Sequence, residues 1–193
     1  MATPLCRIGA HDALLLDTEL QAVYAAAFGG PPWRETPLQC ESFLVRLRGQ
    51  VARPGFHCVV AAGGRDGTVR GFALGAIVDR PDDQPLWTPS LDAVVGPELV
   101  DGCLRHRFEL FELAVTPAWQ RRGIGGRLLD AVLADLPYER AWLMTRVDAL
   151  AARSLYTARG WTDMAVVHFP GHSEPRVIMA ATLPVRRMEE SLR

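Results

Sequence analysis

Seven residues, Gln120-Arg121-Arg122-Gly123-Ile124-Gly125-Gly126, constrain this chain more than any others, because they stand between a β-prone run and a helical stripe. Before them, Phe108–Val115 (FELFELAV) is dense in apolar residues on both faces, as a central strand is. After them, Arg127–Leu136 carries Leu128, Leu129, Val132, Leu133 and Leu136, a one-sided stripe at helical spacing stopped by Pro137. A strand that turns through glycines into a helix leaves N–H groups unpaired at the positive end of the helix dipole, where anions bind. Gly123, Gly125 and Gly126 have no Cβ to hold an anion off the main chain, and Arg121, Arg122 and Arg127 add positive charge. An ordinary tight turn with solvated arginines fits the same residues. Two phosphate-binding patterns do not fit: no Gly-Lys-Ser/Thr follows the first glycine, and Leu128 occupies the third glycine position of the dinucleotide fingerprint.

The rest of the chain alternates helical and β-prone stretches around this unit. Residues 11–28 place Leu16, Leu20, Val23, Tyr24 and Ala27 at spacings of three and four before Gly29-Gly30-Pro31-Pro32 ends the pattern, and a second helix is expected over Leu38–Arg48. Phe56–Ala62 and Thr68–Val78 read as a hairpin whose Asp66-Gly67 supplies the turn. Residues 79–107, punctuated by Pro81, Pro85, Pro89, Gly96 and Pro97, read as an insertion or long loop with one helical turn near Leu91–Val95. Ala141–Thr145 reads as a strand, and residues 149–159 as a helix with Asp148 as N-cap and Gly160 as stop. Trp161–Phe169 and Arg176–Leu183 close the chain as a strand pair, leaving a charged tail over residues 186–193. The pattern is mixed α/β around one sheet, with residues 1–185 as a single domain.

Composition narrows the partners. Lys+Arg 21 against Asp+Glu 22 gives a formal net charge of -1, which offers no general attraction for nucleic acid or an anionic membrane. The beginning of the chain lacks a basic segment followed by an apolar run, so a cytoplasmic protein is the default expectation. Cys6, Cys40, Cys58 and Cys103 are widely spaced and form no Cys-x-x-Cys pair, so they are expected as reduced packing residues rather than metal ligands. His168 and His172 flank Pro170-Gly171 and share no helix face, and no metal site is expected there.

Gln120-Arg121-Arg122-Gly123-Ile124-Gly125 closely resembles the Gln/Arg-x-x-Gly-x-Gly/Ala signature of the GCN5-related N-acetyltransferases. Leu113-Ala114-Val115-Thr116-Pro117 matches the strand end that precedes it in that family. Ala149 to Trp161 (ALAARSLYTARGW) matches a later family helix at Ala152, Leu155, Tyr156 and Gly160, with Trp161 as an aromatic substitute and Ala149 in place of the family's Asn. The resemblance implies a central mixed, mostly antiparallel sheet with helices on both faces and a splayed pair of parallel strands. It also implies acetyl-CoA as co-substrate and direct transfer to an amine of a small molecule or peptide. Dimers are common in the family, so a homodimer is among the states it allows.

The same resemblance assigns residues. Backbone groups of Leu113, Ala114 and Val115 are expected to pair with the pantetheine arm, and Gln120, Arg121, Arg122, Gly123, Ile124, Gly125 and Gly126 to hold the pyrophosphate. Tyr156 is expected as the acid toward the departing thiolate; an ordinary phenol, with a pKa of about 10, is protonated at neutral pH. An amine with a pKa of about 10 must lose a proton before attack, and a carboxylate is the usual solution. Glu112 and Glu109 both lie on the strand beside the cofactor, three residues apart and therefore on opposite faces of a regular strand. Glu112, next to Leu113, is the better placed, and its structural alternative is a buried carboxylate paired with an arginine such as Arg146. The segment Pro31-Pro32-Trp33-Arg34-Glu35 and the acidic 79–107 stretch are candidate walls for the acceptor, with Trp33 and Trp87 equally suited to capping the core. The missing Asn at Ala149 leaves one competing reading, a non-catalytic acyl-CoA-binding module of the same fold.

Overall fold

Seven strands hydrogen-bond in the order β1-β2-β3-β4-β5-β7-β6 in the computed structural model, which describes residues 3–63, 67–78, 91–170 and 174–184, apart from the side chain of Asp92. The strands are β1 (Leu5–Ile8), β2 (His57–Ala62), β3 (Val69–Val78), β4 (Arg107–Val115), β5 (Arg140–Arg146), β6 (Thr162–Val167) and β7 (Arg176–Thr182). β4 and β5 form a parallel pair, with Phe108–Leu110 opposite Ala141–Leu143, while β1–β2, β2–β3, β5–β7 and β6–β7 pair antiparallel. The mixed, mostly antiparallel sheet is the one expected. The chain divides into two compact units, residues 1–76 with 111–134, and residues 77–110 with 135–193.

In the first unit, helices α1 (Ala10–Leu15), α2 (Asp17–Phe28) and α3 (Pro37–Val51) pack with the strands. α2 buries Leu20, Val23, Tyr24 and Phe28, and α3 buries Cys40, Phe43, Leu47 and Gln50, both at the three-and-four spacing of a single helix face. These residues meet Cys58, Val60, Phe72, Leu74 and Ala114 in one core, with Tyr24 stacked on Phe43 at a centroid separation of 4.7 Å. Trp33 caps this core, its ring edge-on to Phe28 at 5.1 Å. The single helix expected over residues 11–28 is two, interrupted at Leu16, whose φ of -99° and ψ of 15° leave the helical region. α3 starts earlier than expected because Thr36 and Gln39 form a reciprocal capping box around Pro37. β1 was not expected; it has four residues, and Cys6 and Arg7 are exposed, so no apolar alternation marks it. Gly67, with φ +64°, carries the turn conformation expected of it, while Asp66 lies outside the described residues.

In the second unit, the helical turn expected near Leu91–Val95 is α4 (Leu91–Val95), and α5 (Pro97–Leu99) and a π-helical turn over Val100–Leu104 follow where loop was expected. Leu91, Val100 and Leu104 supply what a loop would lack, an apolar face, packed with Trp142, Val167, Phe169 and Ile178. The preceding residues 79–90, with Trp87, Asp79, Asp82 and Asp83, lie outside the described residues. Helix α7 (Leu150–Thr157) is capped by Ala149 without a side-chain bond. The expected cap, Asp148, instead holds Arg146 through two hydrogen bonds of 2.8 and 2.7 Å. Gly160, with φ +78°, ends α7 as expected, the Trp161 N–H returning to the Tyr156 carbonyl at 3.2 Å. No helix among the described residues is long and apolar enough to cross a membrane.

Candidate active site

Helix α6 (Ile124–Leu133) begins at the glycine turn, three residues before the expected start, and buries Ile124, Gly126, Leu128, Leu129, Val132 and Leu133. Gly123 is its N-cap, with φ +76°, a left-handed conformation that L-residues other than Asn and Asp rarely take. The helix ends before the predicted Leu136 because Asp135 turns left-handed at φ +59° and Arg7 donates to the carbonyls of Ala131 and Ala134 at 3.1 and 2.9 Å.

The turn itself is open. A Cβ added at Gly123 would meet nothing within 4 Å, and no side chain caps the first turn of α6. The N–H groups of the first turn form the positive end of the helix, a position that suits an anion. Arg121, Arg122 and Gly123 are exposed, and Arg121 also adopts a left-handed φ of +60°. Gln120 is committed elsewhere: its side-chain amide donates to the Val115 carbonyl at 2.9 Å, tying the turn to the end of β4. Between them, Trp119 in the 3₁₀ turn Pro117–Trp119 lies near two guanidiniums, Arg70 at 3.6 Å and Arg122 at 4.6 Å from its ring centre. Such cation–π contacts contribute about 0.5–2 kcal/mol each, more when desolvated. Sequence reading missed Arg70, which belongs to β3 and reaches Trp119 only through strand pairing.

Of the predicted strand segment, Ala114 and Val115 are buried and Leu113 is half-buried. β3 approaches this segment closely at Gly71, where an added Cβ would lie 2.7 Å from the Ala114 carbonyl oxygen, 3.1 Å from Val115 Cγ2 and 3.2 Å from Leu128 Cδ1. Glycine is required there by space rather than by φ.

Glu112 is largely withdrawn from solvent, and its carboxylate lies 3.6 Å from Arg46 of α3, with side-chain exposures of 12% and 15%. Glu112 thus has Arg46 beside it, while Arg146, offered as an example of such a partner, pairs with Asp148 at 2.7 Å and Glu174 at 3.2 Å. Arg46 is held by Ser42, one helical turn earlier, at 2.8 Å, and lies over the Tyr24 ring at 5.2 Å. Tyr24 donates its hydroxyl to Glu35 Oε1 at 3.0 Å, while Glu35 Oε2 is buried without a hydrogen-bond partner. Burial holds the Tyr24 phenol well above its ordinary range, reinforced by the charge of Glu112. Burial opposes the charge on Arg46, but Glu112, Tyr24 and Glu35 outweigh it and strengthen the guanidinium's hold on its proton. The segment Pro31–Glu35 was anticipated as an acceptor wall, whereas the charge interactions of Tyr24 and Arg46 with Glu112 were not.

Tyr156 is buried on α7, with its ring 5.8 Å from that of Trp161. Glu109 is buried on β4 opposite Trp142. Cys40 and Cys58 are buried packing residues, Cys103 is half-buried and Cys6 is exposed, and all four are free thiols. Burial pushes the Cys58 thiol up to about 12.

The family model described as "Acetyltransferase (GNAT) family" matches residues 19–161. No curated protein sequence matches. Solved structures with the same fold include a GNAT-family acetyltransferase from Bacillus cereus, 15% identical, with TM-score 0.57 over 93% of this chain and 96% of that one. The ribosomal-protein-S18-alanine N-acetyltransferase of Escherichia coli is 19% identical, with TM-score 0.59 over 96% of each chain. A chain of the NatC complex bound to Gag peptide and CoA is 14% identical, with TM-score 0.61 over 95% of this chain and 99% of that one.

Proposed function

Because the chain belongs to the GNAT acetyltransferase family, we propose that it transfers an acetyl group from acetyl-CoA to an amine of a small molecule or peptide, by direct attack in a ternary complex. The observation that carries this reading is the span of the family match, residues 19–161, which contains Glu112, the glycine turn and Tyr156 together. A solved relative in the same fold was crystallised with CoA and a peptide, which supports the same class of ligands here.

Acetyl-CoA supplies the acetyl group already activated as a thioester. Arg121–Gly126 offer main-chain N–H groups to its pyrophosphate, and Leu113–Val115 offer strand edges to its pantetheine arm. Gln120 acts by holding the turn against Val115. Glu112 takes the proton from the acceptor amine, directly or through a water. The amine nitrogen then bonds to the thioester carbonyl carbon, the C–S bond breaks, and Tyr156 gives a proton to the departing thiolate. The products are the N-acetyl amine and CoA thiol.

Acetyl-CoA consumption measured against a panel of amines tests the reaction. With an accepted amine, Tyr156→Phe is expected to lower kcat about 10²-fold with little change in acetyl-CoA affinity, as loss of a positioned acid does. Unchanged turnover would remove Tyr156 from the mechanism. Gly123→Ala is expected to weaken acetyl-CoA binding about tenfold, because a left-handed alanine costs about 1–2 kcal/mol and shifts the turn. Calorimetry giving an unaltered Kd would place the pyrophosphate elsewhere. The buried Ala149, where the family has Asn, favours one rival, an acyl-CoA-binding module without transfer; it predicts tight acetyl-CoA binding and no consumption with any amine.

A further inference from the structure

Helix α7 carries Tyr156 but has few means of its own to hold that residue in place. It has eight residues, a length that is marginal without tertiary support, and Ala149 caps it without a side-chain bond. Of its residues Tyr156 alone is buried. One further side chain on the helix, Arg153, grips it from both flanks. Its Nη1 donates to the Val147 carbonyl at 3.0 Å, in the loop that enters α7, and its Nη2 to Asp163 Oδ2 at 2.6 Å, on β6 beyond the Gly160 stop. Both partners are themselves fixed. The Val147 N–H donates to the Pro175 carbonyl at 3.1 Å, and Asp163 lies opposite Met179 of β7 in the sheet. The neighbouring Asp148 is held by Arg146 through two hydrogen bonds of 2.8 and 2.7 Å, so the entry loop is a firm support.

We propose that Arg153 is a positioning residue for Tyr156: by bracing α7 against the loop before it and the strand after it, it sets where the Tyr156 hydroxyl stands when the thiolate departs. The proposal rests on Tyr156 being the acid. The two donors belong to one planar guanidinium, so they fix the spacing and orientation of both partners at once, which a flexible single-point cation does not. With side-chain exposures of 28% and 46%, the Arg153–Asp163 pair is a surface bridge that adds little to stability. Its effect on rate is larger, because a misplacement of about 1 Å in a reacting group costs about 10²-fold.

The test is a double-mutant cycle in the full chain, read by steady-state kinetics on an accepted amine. Arg153→Gln is expected to lower kcat about tenfold, with KM for acetyl-CoA and for the amine unchanged. In the Tyr156→Phe background the same change is expected to have no further effect, since there is no hydroxyl left to position. An unchanged kcat, a rise in KM in place of the fall in kcat, or an equal tenfold loss in both backgrounds overturns the proposal. If Arg153→Gln does not fold, Asp163→Asn decides through the same cycle: a loss of about threefold confined to the chain that retains Tyr156 supports the proposal, and no loss or equal losses refute it. Failure of the acid assignment is a separate result, because Tyr156→Phe alone would then keep wild-type kcat.

Discussion

Glu112→Gln is expected to lower kcat about 10²–10⁴-fold while leaving the acetyl-CoA Kd unchanged, because the amide keeps the side chain's shape but loses its charge and its ability to take a proton. Its partner in the fold tolerates the change. Arg46 retains Ser42, the Tyr24 face and the field of Glu35, so the guanidinium is not left as an isolated buried charge. A loss of kcat with intact cofactor binding separates proton transfer from folding and from acetyl-CoA capture. Wild-type turnover in this variant, measured by acetyl-CoA consumption on a verified amine, would transfer the role to Glu109 or to solvent.

Gly71→Val is expected to produce the largest structural effect of any single change near the site. Its Cβ would lie 2.7 Å from the carbonyl oxygen of Ala114, a main-chain atom that cannot rotate aside, and the two methyls would press further on Val115 and Leu128. Overpacking of this kind costs about 1–3 kcal/mol or more. For a chain of this length that corresponds to a melting temperature lower by about 2–4 °C for each kcal/mol. The strain falls on Leu113–Val115, so acetyl-CoA affinity is expected to drop together with Tm. A variant that melts like wild type and binds acetyl-CoA equally well would contradict both the close approach and the role of the segment.

These two residues also show where a single sequence is readable. The strand, glycine turn and α6 were legible because glycines, a one-sided leucine stripe and an apolar run are signals within a few consecutive residues. Gly160 as a helix stop and the α7 motif were legible for the same reason. The boundaries of α6 were not, since Gly123 in a left-handed conformation and Asp135 in another are backbone facts that composition permits without requiring. The helical nature of residues 97–104 was obscured by Pro97, Gly96 and Gly102, and is sustained by apolar packing with β5, β6 and β7 that no local pattern reveals. Arg46 is the clearest case. It belongs to a helix far from Glu112 in sequence, and its neighbour at helical spacing is Ser42, so nothing local distinguishes it from a solvated arginine. The notion of a carboxylate paired with an arginine was available from residue types alone; which arginine was a matter of tertiary structure.

The hydrogen bond from Gln120 to the Val115 carbonyl has a consequence for timing. It fixes the turn to its own strand by a bond within the chain, alongside left-handed residues at Arg121 and Gly123. If the turn holds the pyrophosphate as proposed, the loss of backbone freedom needed to shape it is incurred when the chain folds and not when the cofactor arrives. A substitution at position 120 would then register first as slower capture of acetyl-CoA, before it changed the chemistry that follows.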